Sequence, residues 1–213
     1  MGCDIHVFVE VKNKKSGKWN TYLEADGGWP EYIGRNYDLY AILANVRNGY
    51  GFAGIDTGDG FECISKPRGV PFDASETYLS QVEEWGSDGH SHSFLTLAEL
   101  QSFDWEGKKT NHRGYLRQRD YKHYKETGEL RYLCADVSGV NVVKVNNDTM
   151  EKVINGTLKG GSDTDFYTQI HWEESYAESC DYFLKKQLPI LVDLARQCDT
   201  SEEDIRISFF FDN

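Results

Sequence analysis

Nowhere in this 213-residue chain do eighteen apolar residues run together, and no apolar segment follows a basic start. The first absence argues against a helical membrane span, and the second predicts no secretory leader. The five cysteines are odd in number, widely spaced and form no CxxC pair, which predicts free thiols in a reducing compartment, the cytoplasm of a bacterial host, rather than a disulfide framework. Met1-Gly2-Cys3 lacks the Ser or Thr that myristoylation wants at the sixth position, where His6 stands. HExxH, GxSxG and GxxxxGK[ST] are all missing, so zinc-peptidase, serine-hydrolase and P-loop chemistry have no motif to rest on.

Basic residues are also in short supply. Lys and Arg number 23 against 35 Asp and Glu, a formal charge of −12. Such a surface repels duplex DNA and anionic lipid, yet a pocket can still be locally basic for a small anion. Among partners, the charge leaves a small nucleotide ligand or a second copy of the chain, in a homo-oligomer.

What is present suits one domain over residues 1–213, with ordinary apolar content and 14% aromatic residues. Ile5, Val7, Val9 and Val11 alternate with Asp4, His6, Phe8 and Glu10, the pattern of a strand with one apolar face. A turn cluster at 13–17 and the run Lys18–Leu23 complete a β-hairpin. Leu39, Ile42, Leu43 and Val46 fall at helical spacing, with Asn36 or Asp38 as cap and Gly49 as stop. Asp73 with Glu76, and Thr96 with Glu99, read as capping boxes.

Further on, 130–137 and 140–145 read as strands, 163–186 as a helix, Pro189 as the start or kink of another, and 205–211 as a terminal strand. The expected class is α+β: a largely antiparallel sheet with an N-terminal hairpin, packed by helices. Residues 105–127 carry seven Lys and Arg by Lys125 (Lys108, Lys109, Arg113, Arg117, Arg119, Lys122, Lys125), interleaved with Tyr115, Tyr121 and Tyr124. They read as a basic mid-chain insertion or arm.

Chemistry is expected where histidine and aspartate share a strand face. Asp4 projects with His6, and Asp88 with His90 and His92 if that segment is extended. A helix starting near Thr96 would place a positive dipole end beside the histidines. His6, His90 and His92 with a carboxylate would suit a divalent metal; without one, a histidine pair would serve as acid and base across a phosphodiester. Arg35 and Arg68 are candidates to grip phosphate and Tyr37, with Tyr50 and Phe52, to stack a base. A satisfied core histidine, a plain turn at Asp88-Gly89 and a surface salt bridge at Arg35 are the bland readings of the same residues.

Met1-Gly-Cys-Asp-Ile-His6, Arg35-Asn36-Tyr37, Lys66-Pro-Arg-Gly69, Asp88-Gly-His-Ser-His-Ser93 and the closing Phe-Asp-Asn213 together resemble a family of small phage and bacterial proteins. The resemblance covers the first hundred residues and the last strand. It implies, by analogy with phage proteins that destroy or sequester host immune nucleotides, an anti-defence role. The expected function is a phosphodiesterase-like hydrolase of a small nucleotide. A binding protein that sequesters such a nucleotide, or a module for a host protein, are the alternatives.

Overall fold

The computed structural model describes residues 2–23 and 35–213. It is α+β, with two sheets that each carry their own helices. The first sheet contains β1 (Asp4–Lys12), β2 (Trp19–Leu23), β3 (His90–Thr96) and β7 (Ile205–Asp212) in the order β2-β1-β7-β3, all antiparallel. The expected hairpin is β1–β2, and the terminal strand lies at the sheet's centre. Ile205 through Phe211 are buried on both faces of β7, the polar Arg206 and Ser208 included.

On one face Val7, Val9, Ile207, Phe209 and Phe211 meet α1 (Tyr37–Ala44), α3 (Leu97–Ser102) and α7 (Leu188–Gln197) in the main core. Each fully buried side chain of this kind contributes about 1.5–3 kcal/mol. Asn36 caps α1, its Oδ1 accepting from the backbone N of Asp38 and Leu39 at 3.1 Å. The helix stops at Asn45 in the left-handed region, four residues ahead of the expected Gly49. The opposite face of the sheet buries Phe8, Tyr78 and Phe210 beneath α2 (Glu76–Trp85). The cap of α2 is Ser75. Asp73, expected in that role, instead accepts from Trp19 Nε1 and Arg206. The Thr96–Glu99 capping box of α3 is present as expected.

The second sheet has the order β4-β6-β5, from β4 (Lys109–Arg117), β5 (Val142–Val145) and β6 (Asp165–Ser175), with β5 and β6 parallel. Leu116, Tyr121, Met150, Phe166 and Ile170 form its core under α4 (Gln118–Thr127) and α5 (Asn147–Ile154). Three expectations meet the structure here. Residues 163–186 begin as the strand β6, because Phe166, Thr168 and Ile170 alternate into this core, and turn helical only from Tyr176 on. Only Cys134 of 130–137 makes a bridge, to Tyr115. The basic stretch 105–127 supplies β4 and α4, which belong to the second sheet and its core. Most of its cations are paired, among them Lys108 with Glu62, Lys109 with Glu173, Arg113 with Asp56 and Asp59, and Lys125 with Glu151. Pro189 sits in the first turn of α7, as expected. Among the described residues no helix is long and apolar enough to cross a membrane.

Candidate functional site

The expected histidine cluster is only half assembled. β1 and β3 both pair with β7, so His6 and His92 flank the same ring, Phe210. His6 stacks on it with centroids 4.6 Å apart, and His92 lies 5.2 Å away on the other side. His90 does not join them. A bulge between His90 and Ser93, with Ser91 at φ 52°, breaks the alternation of β3. The ring of His90 is thereby sent to the opposite face, against Phe211, with its nitrogens bonded to Ser91 Oγ and Asn213 Nδ2. Asp88 is exposed in the turn after α2, its N–H donating to Trp85 O, and its carboxylate bonds neither His90 nor His92. Among the described residues no three His, Cys, Asp or Glu side chains converge in a way that could hold a metal; the His6/His90/His92 ligand set is not formed.

His92 is partly buried under α2. Burial holds its imidazole below the usual range, with the charge of His90 adding to this and a bond to the Gly89 carbonyl opposing it. His6 is enclosed by Trp85 at 4.4 Å and bonded to Asp212 Oδ2 at 3.2 Å. Asp212 Oδ1 accepts from Asp4 N at 3.1 Å, and the Asp4 carboxylate takes a two-pronged hydrogen bond from Arg35, at 2.7 Å on each oxygen. A continuous polar chain therefore runs from His6 through Asp212 and Asp4 to Arg35. Arg68 is elsewhere: it forks onto Glu99, at 2.5 and 3.0 Å, and reaches Phe94 O. It clamps the 66–69 turn to β3 and α3 and is not a phosphate ligand of this site.

Arg35, Asn36 and Tyr37 line a cleft of about 550 Å³ between the start of α1 and the second sheet. One wall is the start of α1; the other is β4 and β6, which place His112, Trp172 and Glu174 side by side on one sheet face. The glycine-rich 49–60 loop closes the edge by running beside β4. A Cβ on Gly58 would lie 2.5 Å from Asn111 O, so only glycine allows that approach. Asn36 ties the two walls together, its Nδ2 donating to Ser179 O at 3.1 Å. Tyr37 accepts from Cys3 N through its hydroxyl and has Arg47 over its ring, so it braces the N-terminus.

Within the cleft the buried His112 brings Nε2 to 3.2 Å from Ser179 Oγ and 3.3 Å from Glu174 Oε2, and its ring stacks on Trp172. Facing it is Asp38. Its backbone N–H is used in the cap of α1, but among the described residues its carboxyl makes no hydrogen bond or ion pair. Burial pushes that carboxyl above the usual range; nearby Glu174 adds to the effect and His112 opposes it. The same surroundings raise the Cys180 thiol, chiefly by burial, so it is inert as a nucleophile. A carboxyl raised above its usual range beside a His–Glu pair suits a general acid with a base.

No protein-family model, curated protein or solved structure matches this chain.

Asp38, His112, Trp172, Glu174, Ser179 and Asp212 are the site residues that sequence reading passes over. The alternation Thr110, His112, Gly114, Leu116 is a signal for a strand face. Reading 163–186 as helix hides the matching alternation Ile170, Trp172, Glu174.

Proposed function

We propose that the protein is a hydrolase of a small nucleotide, and that the reaction takes place in the cleft between α1 and the second sheet, not at the histidines of the first. One observation carries this: the Asp38 carboxyl lines a cleft with no protein partner among the described residues, directly across from the His112–Glu174 pair. A half-buried carboxyl with no protein hydrogen bond among the described residues, in surroundings that disfavour its charged form, is suited to donating a proton to a ligand. Asp38 acts as general acid. Glu174, supported by His112, acts as base. Trp172 gives a planar wall for a base or sugar, and Arg35, oriented by Asp4, stands at the rim. The resemblance to small phage proteins makes a host signalling nucleotide the substrate to try first.

Incubation with cyclic dinucleotides, ADP-ribose and nicotinamide adenine dinucleotide, with and without EDTA, followed by chromatography and mass spectrometry, tests the reading. Turnover of at least one is expected, and Asp38→Asn is expected to lose it on any substrate whose leaving group must be protonated. Thermal stabilisation by a nucleotide that is recovered intact after denaturation would replace hydrolysis with sequestration. No turnover and no stabilisation across the panel would remove the nucleotide altogether.

A further inference from the structure

The charges around this cleft bear on which bond of a nucleotide is cut. Phosphoryl transfer gathers negative charge on the transferring oxygens and needs cations or donors free to meet it. Here the two guanidiniums at the cleft are both engaged by carboxylates. Arg35 is forked onto Asp4, and the charge of Arg113 is offset by Asp56 at 2.8 Å and by a hydrogen bond to Asp59 at 2.7 Å, although its buried Nε makes no hydrogen bond among the described residues. Glu174 adds a further carboxylate, against His112. Such a site opposes a developing anion and favours a developing cation. Cleavage of a glycosidic bond develops a cation, at the anomeric carbon, and it classically uses two carboxyl groups, one donating a proton and one ionised.

We infer that the bond broken in this cleft is the glycosidic bond between the ribose and the base of the nucleotide, with Asp38 as proton donor to the departing base and Glu174 facing the anomeric carbon; this rests on the hydrolase reading above. The bond from the anomeric carbon to the base nitrogen breaks with its electron pair going to the base, which takes the Asp38 proton. Water adds to the anomeric carbon and gives a proton to Glu174. That proton returns through solvent to Asp38, so the net change is one water consumed, one free base and one ribose hydroxyl formed. His112 positions Glu174 through its Nε2 contact at 3.3 Å. Trp172 lies beside the ring system it stacks with, His112, and walls the sugar.

The test is product analysis in water labelled with heavy oxygen, on the full chain. ADP-ribose and cyclic dinucleotides carry bases that leave only when protonated; nicotinamide leaves nicotinamide adenine dinucleotide neutral, needing no acid. The wild type is expected to release free base with label on the ribose. Asp38→Asn should lose about 100-fold or more on the protonation-dependent substrates, yet keep nicotinamide release within about tenfold, which also shows that the variant is folded. Label on phosphate, with mononucleotide as product, would overturn the glycosidic assignment and leave the hydrolase reading standing. Equal loss on both substrate types in a folded Asp38→Asn would overturn the role of Asp38 as acid. No product from any substrate would remove both.

Discussion

His6 and His92 sit on opposite sides of the Phe210 ring, at 4.6 and 5.2 Å. Two strands that never pair with each other are thus joined through one side chain of the strand between them. Phe210 is fully buried and also touches Phe8 and Tyr78. Phe210→Ala should cost about 3–5 kcal/mol, measured by urea unfolding. His92→Ala removes one side of the sandwich and should cost less than half as much. If the two variants lose equal stability, the ring is not the junction.

The buried ion pair on the same sheet face is a second dependence. Glu10 is fully buried; it accepts from Arg206 Nε at 2.6 Å, Ser75 N at 2.6 Å and Ser208 Oγ at 2.5 Å. Arg206 also reaches Asp73 and lies 3.9 Å from the Trp19 ring centroid. Removing one partner strands the other without water. Glu10→Ala should cost about 3–5 kcal/mol, whereas exchanging the exposed pair partner in Lys109→Ala should cost under about 1 kcal/mol. Chemical denaturation of both variants checks the contrast.

Arg35 and Arg68 read alike in the sequence as candidate phosphate ligands, and the structure separates them. Asp4→Asn removes the fork that orients Arg35 at the cleft and should raise KM about tenfold, roughly 1.4 kcal/mol of binding, with kcat nearly unchanged. Arg68→Met breaks the fork to Glu99 and should cost about 1 kcal/mol of stability while leaving both kinetic constants at wild-type values. A KM effect in Arg68→Met would put that guanidinium back in the site.

Much of the frame is legible from local pattern. Asp4–Lys12 and Ile205–Asp212 announce themselves by alternation, α1 by its periodicity and Asn36 cap, and α3 by the Thr96–Glu99 box. The site is less so, for two physical reasons. The Ser91 φ of 52° occurs at a residue with no sequence mark for it, so the alternation that predicts His90 beside His92 gives the wrong face. And the cleft joins Asp38 to His112 and Glu174 through pairings set by tertiary packing. The polar run after Trp172, Glu173-Glu174-Ser175-Tyr176, favours helix locally, while partnership with β4 holds Glu173 to Ser175 extended. Arg35, Asn36 and Tyr37 are the candidates that do fall at this cleft.

Asp38 links function to stability through pH. Burial raises its carboxyl above the usual range in the folded chain, so between the unfolded and folded values the native state holds a proton that the unfolded state has lost. Stability must then fall as pH rises through that window, and the charge or its desolvation remains a burden above it. Asn carries no charge to desolvate. Asp38→Asn should therefore melt higher than wild type at pH 7 to 8, with the difference shrinking as pH falls toward 4, where wild-type Asp38 is protonated too. Calorimetric melting across that range reads the crossover. Turnover of acid-dependent substrates should decline in wild type as pH climbs through the raised Asp38 value, since the proton to be donated is then gone. A variant less stable than wild type at every pH would show that the Asp38 carboxylate is a structural ligand, and the cleft would lose its acid.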